Sequence, residues 1–313
     1  MRILVTGASG FAGSHLVEAL AARDGAEVFG VSRQPVAAPR PPLAGMRTCD
    51  LNDRRGLEQV LRDVQPERLF HLAGYAKVGR SLQESDAAWR ANLDATRDLY
   101  EAVLRWGGRP RILHVTSGLI YGEAAEANAI IGEEAPLRPT NPYAASKAAA
   151  DLASFQYGES CDLEIIRARA FNHIGPRQAS DFAASSFARQ IALAEQGKQA
   201  PLLKVGDLRP SRDLTDVRDT VRAYVLLMEQ GKPGEAYNVG SGQAYAMQEV
   251  LNRLLAQARV NLEVRQDAKL LRAGELAVLR ADAGKLRRLT GWTPRYTLDQ
   301  TLTDLLDYWR QQP

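Results

Sequence analysis

A tyrosine and a lysine stand four residues apart in the stretch TNPYAASKAAADL, as Tyr143 and Lys147. On a helix this spacing puts both side chains on one face. A phenol ionises near pH 10, and a neighbouring ammonium group favours its charged form, so we expect Lys147 to lower the pKa of Tyr143. Such a pair can move a proton to or from a reacting oxygen.

A serine is expected to complete this catalytic group. Ser117 follows the apolar run Ile112–Thr116, which predicts a strand. At the end of that strand its hydroxyl can hydrogen-bond the reacting oxygen from the side opposite Tyr143. Asn141 is a predicted helix N-cap and Pro142 suits the first helical position, so the helix should begin just before Tyr143.

Three glycines at three-residue intervals occupy the stretch TGASGFAG. They follow the predicted strand Arg2–Thr6 and precede a helix predicted from about Phe11. Glycine permits a tight turn and a close approach of the backbone to an anion, and a helix N-terminus offers free N–H groups with a partial positive charge. The predicted contacts to a dinucleotide pyrophosphate are Gly7, Gly10, Phe11, Ala12 and Gly13.

The choice between the two nicotinamide coenzymes depends on the end of the second predicted strand, Glu27–Val31. A site for NAD carries an acid there, whereas a cation suits the 2′-phosphate of NADP. This chain has Ser32 and Arg33, so NADP(H) is preferred and NAD(H) is possible. Asp50, which ends the third predicted strand, either accepts from the adenine amino group or caps the following helix.

Strand and helix patterns alternate along the first half of the chain, which predicts a doubly wound parallel α/β sheet of the Rossmann type with a smaller α/β C-terminal substrate domain. Residues 1–170, with a contribution from about 212–240, are the predicted dinucleotide-binding domain; residues 171–211 and 241–313 form the substrate domain. The prolines of 34–45 predict a loop. Further predicted strands are Met46–Asp50, Arg68–Leu72, Leu163–Ala168 and Ala236–Val239, and predicted helices are Ser14–Arg23, Asp53–Val64 and Trp89–Trp106.

Composition narrows the class of protein. The chain has 313 residues, a formal net charge of +3 and two cysteines, Cys49 and Cys161. It has no apolar run of the roughly 18 residues that span a membrane, and no signal peptide is recognised. The sequence has no basic block with interleaved aromatic residues, which is the pattern that would predict nucleic-acid binding. We therefore expect a cytoplasmic enzyme without a metal site, a membrane contact or a nucleic-acid partner.

These motifs resemble those of the extended short-chain dehydrogenase/reductases that act on nucleotide sugars. The likeness covers nearly the whole chain, and its motifs are TGASGFAG, CDL (49–51), HLAG (71–74), NL (92–93), Ser117, Tyr143 with Lys147, NVGSG (238–242) and GWTP (291–294). The blocks RARAFNHIGPRQ, KVGDLRPSRDLTDVRD and LLRAGE are similar to those of GDP-6-deoxy-4-keto-mannose reductases, which make GDP-D-rhamnose and are relatives of the GDP-mannose 4,6-dehydratases.

The resemblance implies roles for further residues. For the coenzyme it adds Leu51, Leu72, Ala73, Gly74 and Thr116 to Asp50, Tyr143 and Lys147. For a GDP-linked deoxy-keto sugar it implies Arg212, Arg272 and Asn172 at the diphosphate, Lys204 in the nucleotide pocket, Glu275 at the ribose and Ser81 near the sugar. It also implies a homodimer through helices near Ala95–Arg105 and Ala144–Tyr157.

The residues help to separate neighbouring reactions. A 4,6-dehydratase needs an acid and a base beyond the tyrosine, and in those enzymes a carboxylate stands two residues before a second tyrosine. Here Leu119 stands two residues before Tyr121, which argues against dehydration, although Glu123 follows closely. A 4-epimerase needs only the Ser, Tyr and Lys machinery and stays open. A non-catalytic NADP-binding regulator is a third hypothesis, and the intact group Ser117, Tyr143 and Lys147 argues against it.

Overall fold

The computed structural model describes residues 1–35, 43–124, 130–271 and 278–313. Most of the predicted loop 34–45, together with Arg272 and Glu275, lies outside these ranges. The strands are β1 Arg2–Thr6, β2 Glu27–Ser32, β3 Gly45–Thr48, β4 Arg68–His71, β5 Arg111–Ser117, β6 Ile165–Ala170, β7 His173–Ile174, β8 Leu202–Val205, β9 Ser211–Asp213, β10 Thr215–Asp216, β11 Ala236–Val239, β12 Ala244–Ala246, β13 Glu263–Gln266 and β14 Val278–Leu279.

A seven-stranded sheet in the order β3-β2-β1-β4-β5-β6-β11 forms the centre of the molecule. All of its neighbouring strands pair in parallel. The strand order reverses between β1 and β4, and in doubly wound sheets the ligand crevice lies at the carboxyl ends of the strands at such a point. The predicted Rossmann-type fold is therefore confirmed, and the glycine turn after β1 lies at this crevice.

Helices cover both faces of the sheet and bury its apolar residues. They are α1 Phe11–Ala21, α2 Arg54–Val64, α3 Ser85–Trp89, α4 Ala95–Trp106, α5 Pro142–Cys161, α6 Ala183–Glu195, α7 Val217–Gln230, α8 Met247–Leu255, α9 Gly284–Thr290 and α10 Leu298–Arg310. Helices α1, α7 and α9 pack against one face, around Val5, Leu16 and Tyr224. Helices α2, α4 and α5 pack against the other, around Leu61, Leu99 and Ile112.

A separate apolar core joins helices α6, α8 and α10 to strand β8. It contains Phe187, Leu203, Leu251 and Leu302, all fully buried or nearly so. Ala283, Leu286 and Trp292 instead belong to the core of the central sheet. The predicted domain division stays a prediction; residues 283, 286 and 292 pack with the central sheet.

One helix departs from the predicted pattern. The predicted helix Trp89–Trp106 is interrupted by a π-helical turn at Arg90–Asp94, between α3 and α4. The turn contains Asn92, whose side-chain oxygen accepts from the Tyr75 N–H at 2.9 Å and whose amide donates to the Ser146 hydroxyl at 2.9 Å. These two contacts tie the turn to the loop after β4 and to helix α5.

The end of α5 explains why strand β6 begins later than the sequence predicts. The predicted strand Leu163–Ala168 begins at Ile165 and continues to Ala170. Helix α5 continues to Cys161 and is ended by Asp162, which takes a left-handed conformation with φ 55°. The residues that follow are therefore used for the turn into β6.

Candidate active site

The glycine turn between β1 and α1 admits no side chain at two of its positions. Gly7 has φ 72°, and a Cβ there would lie 2.9 Å from the Ala73 nitrogen. A Cβ at Gly13 would lie 2.0 Å from the Gly7 carbonyl oxygen, so the helix and the turn are in direct contact. This leaves the first turn of α1, with its unpaired N–H groups, facing the crevice as an anion site. The cradle fits the pyrophosphate of a dinucleotide.

The end of β2 lies beside this turn, and β3 pairs with β2. The Gly7 N–H donates to the Val31 carbonyl at 3.3 Å, which brings Ser32 and the exposed Arg33 next to the crevice. Asp50 accepts from the Asn52 N–H at 3.0 Å in a local turn. The cap of α2 is Asp53, which accepts from the Gly56 N–H, so the alternative that Asp50 caps this helix is wrong.

The segment after β4 lies between the glycine turn and the catalytic helix. Leu72 and Ala73 are half-buried, and a Cβ at Gly74 would lie 3.1 Å from Lys147 Nζ. Leu51, by contrast, is buried in the core below the crevice. Ser81 is fully buried and its hydroxyl donates to the Val78 carbonyl at 2.8 Å. Its side chain therefore stabilises the loop rather than facing the crevice, which differs from the predicted sugar contact.

Helix α5 presents Tyr143 and Lys147 to the end of β5. The Asn141 side chain accepts from the Ala144 N–H at 2.9 Å and Pro142 occupies the first turn, as the sequence predicts. Lys147 Nζ donates to the Val115 carbonyl at 3.1 Å. The Ser117 hydroxyl lies beside the Tyr143 hydroxyl and acts on its pKa as a hydrogen-bond partner. The predicted catalytic group is thus brought together at the carboxyl end of the sheet.

The pKa values of this pair differ from the expectation. Burial raises the pKa of Tyr143, and the hydrogen bond with Ser117 only partly opposes it. Burial also lowers the pKa of Lys147 to about 8. The expected lowering of the tyrosine pKa is therefore wrong for the described chain, because desolvation of a buried phenol outweighs the influence of a neighbouring amine that is itself desolvated. At neutral pH the phenol is protonated.

The predicted substrate residues come from separate segments. Asn172 follows β6, and its carbonyl accepts from the Thr215 N–H at 3.0 Å, which joins it to the strand after Arg212. Arg212 is 8% exposed on β9, and its guanidinium donates to the Ser211 carbonyl. Lys204 is exposed on β8, apart from these two. Arg272 and Glu275 lie outside the described residues.

A buried carboxylate holds the strand of Arg212 in place. Asp213 is fully buried and accepts from the Ser241 N–H and hydroxyl, from the Gly242 N–H and from the Ala281 N–H, at 2.6 to 3.0 Å. It therefore joins β9 to the turn after β11 and to the segment after β14. Gly206 is equally constrained, since a Cβ there would lie 2.6 Å from the Leu270 carbonyl oxygen.

Three further polar side chains are relevant to the site, and sequence reasoning missed one of them, Asp151. His173 stacks on Phe11, with ring centroids 5.7 Å apart, at the start of α1. Thr116, predicted to contact the coenzyme, donates its hydroxyl to Asp151 at 3.1 Å. Asp151 itself lies eight residues after Tyr143, and that helical spacing was the available signal. Among the side chains that the structure describes, no group of His, Cys, Asp and Glu is suited to hold a metal.

Three comparisons with known proteins place this arrangement in context. The family described as GDP-mannose 4,6 dehydratase matches residues 4–305. A GDP-6-deoxy-D-mannose reductase of Pseudomonas aeruginosa is 37% identical over 311 residues, 99% of this chain and 98% of that protein.

Two solved structures extend the likeness to three dimensions. The structure of RMD from Pseudomonas aeruginosa complexed with NADPH has a TM-score of 0.87 at 36% identity and covers 99% of each chain. The Thermus thermophilus UDP-glucose 4-epimerase complexed with NAD has a TM-score of 0.88 at 30% identity and also covers 99% of each chain. The solved relatives thus include proteins that bind either nicotinamide coenzyme.

Proposed function

Because the chain belongs to the GDP-mannose 4,6 dehydratase family, within the extended short-chain dehydrogenase/reductases that act on nucleotide sugars, we propose that it is an NADPH-dependent 4-reductase. The proposed reaction converts GDP-4-keto-6-deoxy-D-mannose to GDP-D-rhamnose. The observation that carries the proposal is the site itself: Ser117, Tyr143 and Lys147 are assembled, while Leu119 stands where a dehydratase of this family has a carboxylate. The full-length likeness to a GDP-6-deoxy-D-mannose reductase supports the same substrate.

The roles of the catalytic residues follow from their chemistry. A bound reduced nicotinamide supplies a hydride to C4 of the keto sugar. Tyr143, whose pKa is raised by burial, holds a proton at neutral pH and donates it to the C4 oxygen. Ser117 holds that oxygen through its hydroxyl. Lys147 contacts the nicotinamide ribose. Its Nζ lies close to Gly74, in the segment after β4, and this position suits the role.

The substrate is held by cations in the second half of the chain. We propose that Arg212 and Asn172 bind the diphosphate, since a guanidinium offers paired donors to phosphate oxygens. Lys204 lines the nucleotide pocket, and Arg272 and Glu275 complete it at the diphosphate and the ribose. We also propose that the substrate nucleotide carries guanine and that the product sugar has the D-rhamnose configuration.

The preference for NADPH rests on the end of β2. Arg33 is exposed beside the glycine turn, where a 2′-phosphate would lie, and no acid is present at 32 or 33 to bind a free 2′-hydroxyl. We also propose that the enzyme works in the cytoplasm. Both of its cysteines are free, as expected in a reducing compartment, and within the described ranges no helix is long and apolar enough to cross a bilayer.

A homodimer is proposed through helices α4 and α5. These helices lie side by side, and they expose Leu104, Leu152 and Phe155 by 37%, 57% and 44%. An apolar patch of this kind is typical of a protein interface. Leu152→Glu with Phe155→Glu should halve the mass measured by light scattering after gel filtration.

The proposed reaction is tested by mixing the protein with NADPH and GDP-4-keto-6-deoxymannose and following the absorbance of reduced nicotinamide. Stoichiometric loss of absorbance is expected, with GDP-rhamnose as product. An epimerase, which the likeness to the Thermus enzyme favours as the second candidate, would interconvert sugars without net oxidation. Turnover of GDP-mannose without added coenzyme would indicate a dehydratase.

Tyr143→Phe removes the proton donor, so kcat should fall about 1,000-fold while NADPH binding is unchanged. Tyr157→Phe is the matched control, because Tyr157 lies on the same helix and its hydroxyl bonds Glu101, away from Ser117. Retention of full activity by Tyr143→Phe would show that another group donates the proton.

A further inference from the structure

The carboxylate of Asp151 lies on the catalytic helix but takes no part in the proposed chemistry. It follows Lys147 by four residues and Tyr143 by eight, so the three side chains share one face of α5. Asp151 is fully buried. A buried carboxylate is unfavourable unless it is paired, so its partners indicate why it is there.

Its two oxygens accept four hydrogen bonds from two neighbouring strands. Thr116 on β5 donates at 3.1 Å, and Arg167 on β6 donates at 2.8 Å. Arg169, also on β6, donates through Nε at 3.1 Å and through Nη2 at 2.8 Å. Thr116 directly precedes Ser117. One carboxylate therefore joins the helix of Tyr143 and Lys147 to the strand of Ser117 and to the strand that leads to Asn172.

The contacts continue beyond Arg169. Its Nη1 donates to the Tyr121 hydroxyl at 3.0 Å and to the Glu133 carbonyl at 2.9 Å. The Tyr121 hydroxyl in turn donates to the Asn238 side chain at 2.7 Å. The turn that follows Ser117 is thereby fixed to the same group of side chains.

A buried ion cluster is a poor way to gain stability, since apolar residues of similar volume often serve as well. The cluster adds directional contacts that fix the position of helix α5 on the sheet. Apolar contacts are not directional, whereas the planar guanidinium of Arg169 bonds the carboxylate in one geometry. Both arginines are less than 10% exposed, so solvent weakens this constraint little.

We propose that Asp151 is a positioning residue that sets the distance between the Tyr143 hydroxyl and Ser117, acting through Thr116 and the two arginines. Its carboxylate is fully buried and is bonded by Thr116, Arg167 and Arg169. Only the kinetic test of this inference rests on the proposed function. The placement of the helix can be measured without turnover.

Three variants test it: Asp151→Asn, Thr116→Val and, as matched control, Glu195→Gln. Glu195 is 6% exposed on its side chain and binds Arg310 through two hydrogen bonds of 2.8 Å, at the C-terminal ends of α6 and α10. Loss of this ion pair should destabilise the protein without changing the candidate active site. For each variant kcat, KM, the NADPH dissociation constant and amide hydrogen exchange of the peptide 141–151 are measured.

Asp151→Asn should lower kcat about tenfold and Thr116→Val about threefold, because small displacements of a proton donor slow the reaction. KM and NADPH binding should change less than about twofold, while exchange in 141–151 accelerates. Glu195→Gln should lower the melting temperature but leave kcat and this exchange unchanged.

Thr116→Val keeps the buried charges and volume, so it remains informative if Asp151→Asn does not fold. Unchanged kcat and unchanged exchange in Thr116→Val would overturn the positioning role, as would equal losses in Glu195→Gln. If the unaltered protein oxidises no NADPH with the keto sugar, the proposed function fails, and the exchange experiment still decides the role of Asp151.

Discussion

The proposed coenzyme site and the proposed substrate site hold their residues in different ways. In the first, Gly7 and Gly13 contact each other within one turn, and Tyr143 and Lys147 share one helix. In the second, Arg212 and Lys204 stand on short strands from separate segments. Asp213 must join three such segments before Arg212 has a fixed place. Short-range spacing thus accounts for more of the proposed coenzyme site than of the proposed substrate site, which depends on long-range contacts.

The strongest test of this contrast is Gly13→Ala. The added Cβ would lie 2.0 Å from the Gly7 carbonyl oxygen, so the turn must open. We expect NADPH binding to weaken about 100-fold by fluorescence titration, from the loss of charge-assisted bonds at the helix N-terminus. Gly132→Ala is the control, since a Cβ there has no neighbour within 4 Å. Equal affinity in both variants would mean that the turn does not bind the pyrophosphate.

The proposed substrate site is tested by Arg212→Lys, which keeps the charge and loses the paired donors. KM for the nucleotide sugar should rise about 10- to 30-fold with NADPH binding unchanged. Arg209→Lys is the neighbouring control, because the Arg209 side chain is 91% exposed. If both variants behave alike, Arg212 does not hold the diphosphate.

Arg33→Ala separates the two coenzymes at the proposed coenzyme site. Loss of the cation should weaken NADPH binding about tenfold and leave NADH binding unchanged, because only NADPH carries the 2′-phosphate. Parallel titrations with the two coenzymes measure the ratio of their dissociation constants. If this ratio is the same in Arg33→Ala and in the unaltered protein, the 2′-phosphate binds elsewhere.

A last test concerns stability. Burial lowers the pKa of Lys147 to about 8, whereas a lysine in an unfolded chain ionises near pH 10.4. The unfolded chain therefore binds more protons between these values, and this group makes the coenzyme-free protein more stable as pH rises from 8 to 10. Lys147→Met should be more stable at pH 7, by roughly 1–3 kcal/mol, and this advantage should shrink through that range in urea unfolding. An advantage that does not change with pH would contradict the burial of a charged amine.

The elements that could be predicted are those whose signals are local. Asn141 and Pro142 indicated the start of α5, and the glycine spacing indicated the turn after β1. Asp50 shows the limit of this reasoning, because the cap is Asp53, three residues later, and only the conformation of the loop decides between them.

What could not be predicted depends on contacts between distant residues. The raised pKa of Tyr143 follows from its burial in the folded chain. The bonds from Arg167 and Arg169 to Asp151 span 16 and 18 residues, and nothing in either strand pattern marks those arginines as buried. The site roles of Arg212, Asn172 and Lys204 stay predictions, since their meaning depends on a bound substrate.

The π-helical turn at Arg90–Asp94 makes helix length a determinant of the site. Each residue of a regular helix advances the side chains by about 100°. Deleting one residue there would restore regular winding and swing Asn92 away from both Tyr75 and Ser146, even with every remaining amino acid unchanged. A relative with a single gap at this point would keep all the residues named above and still lack the brace on which the first turn of its catalytic helix rests.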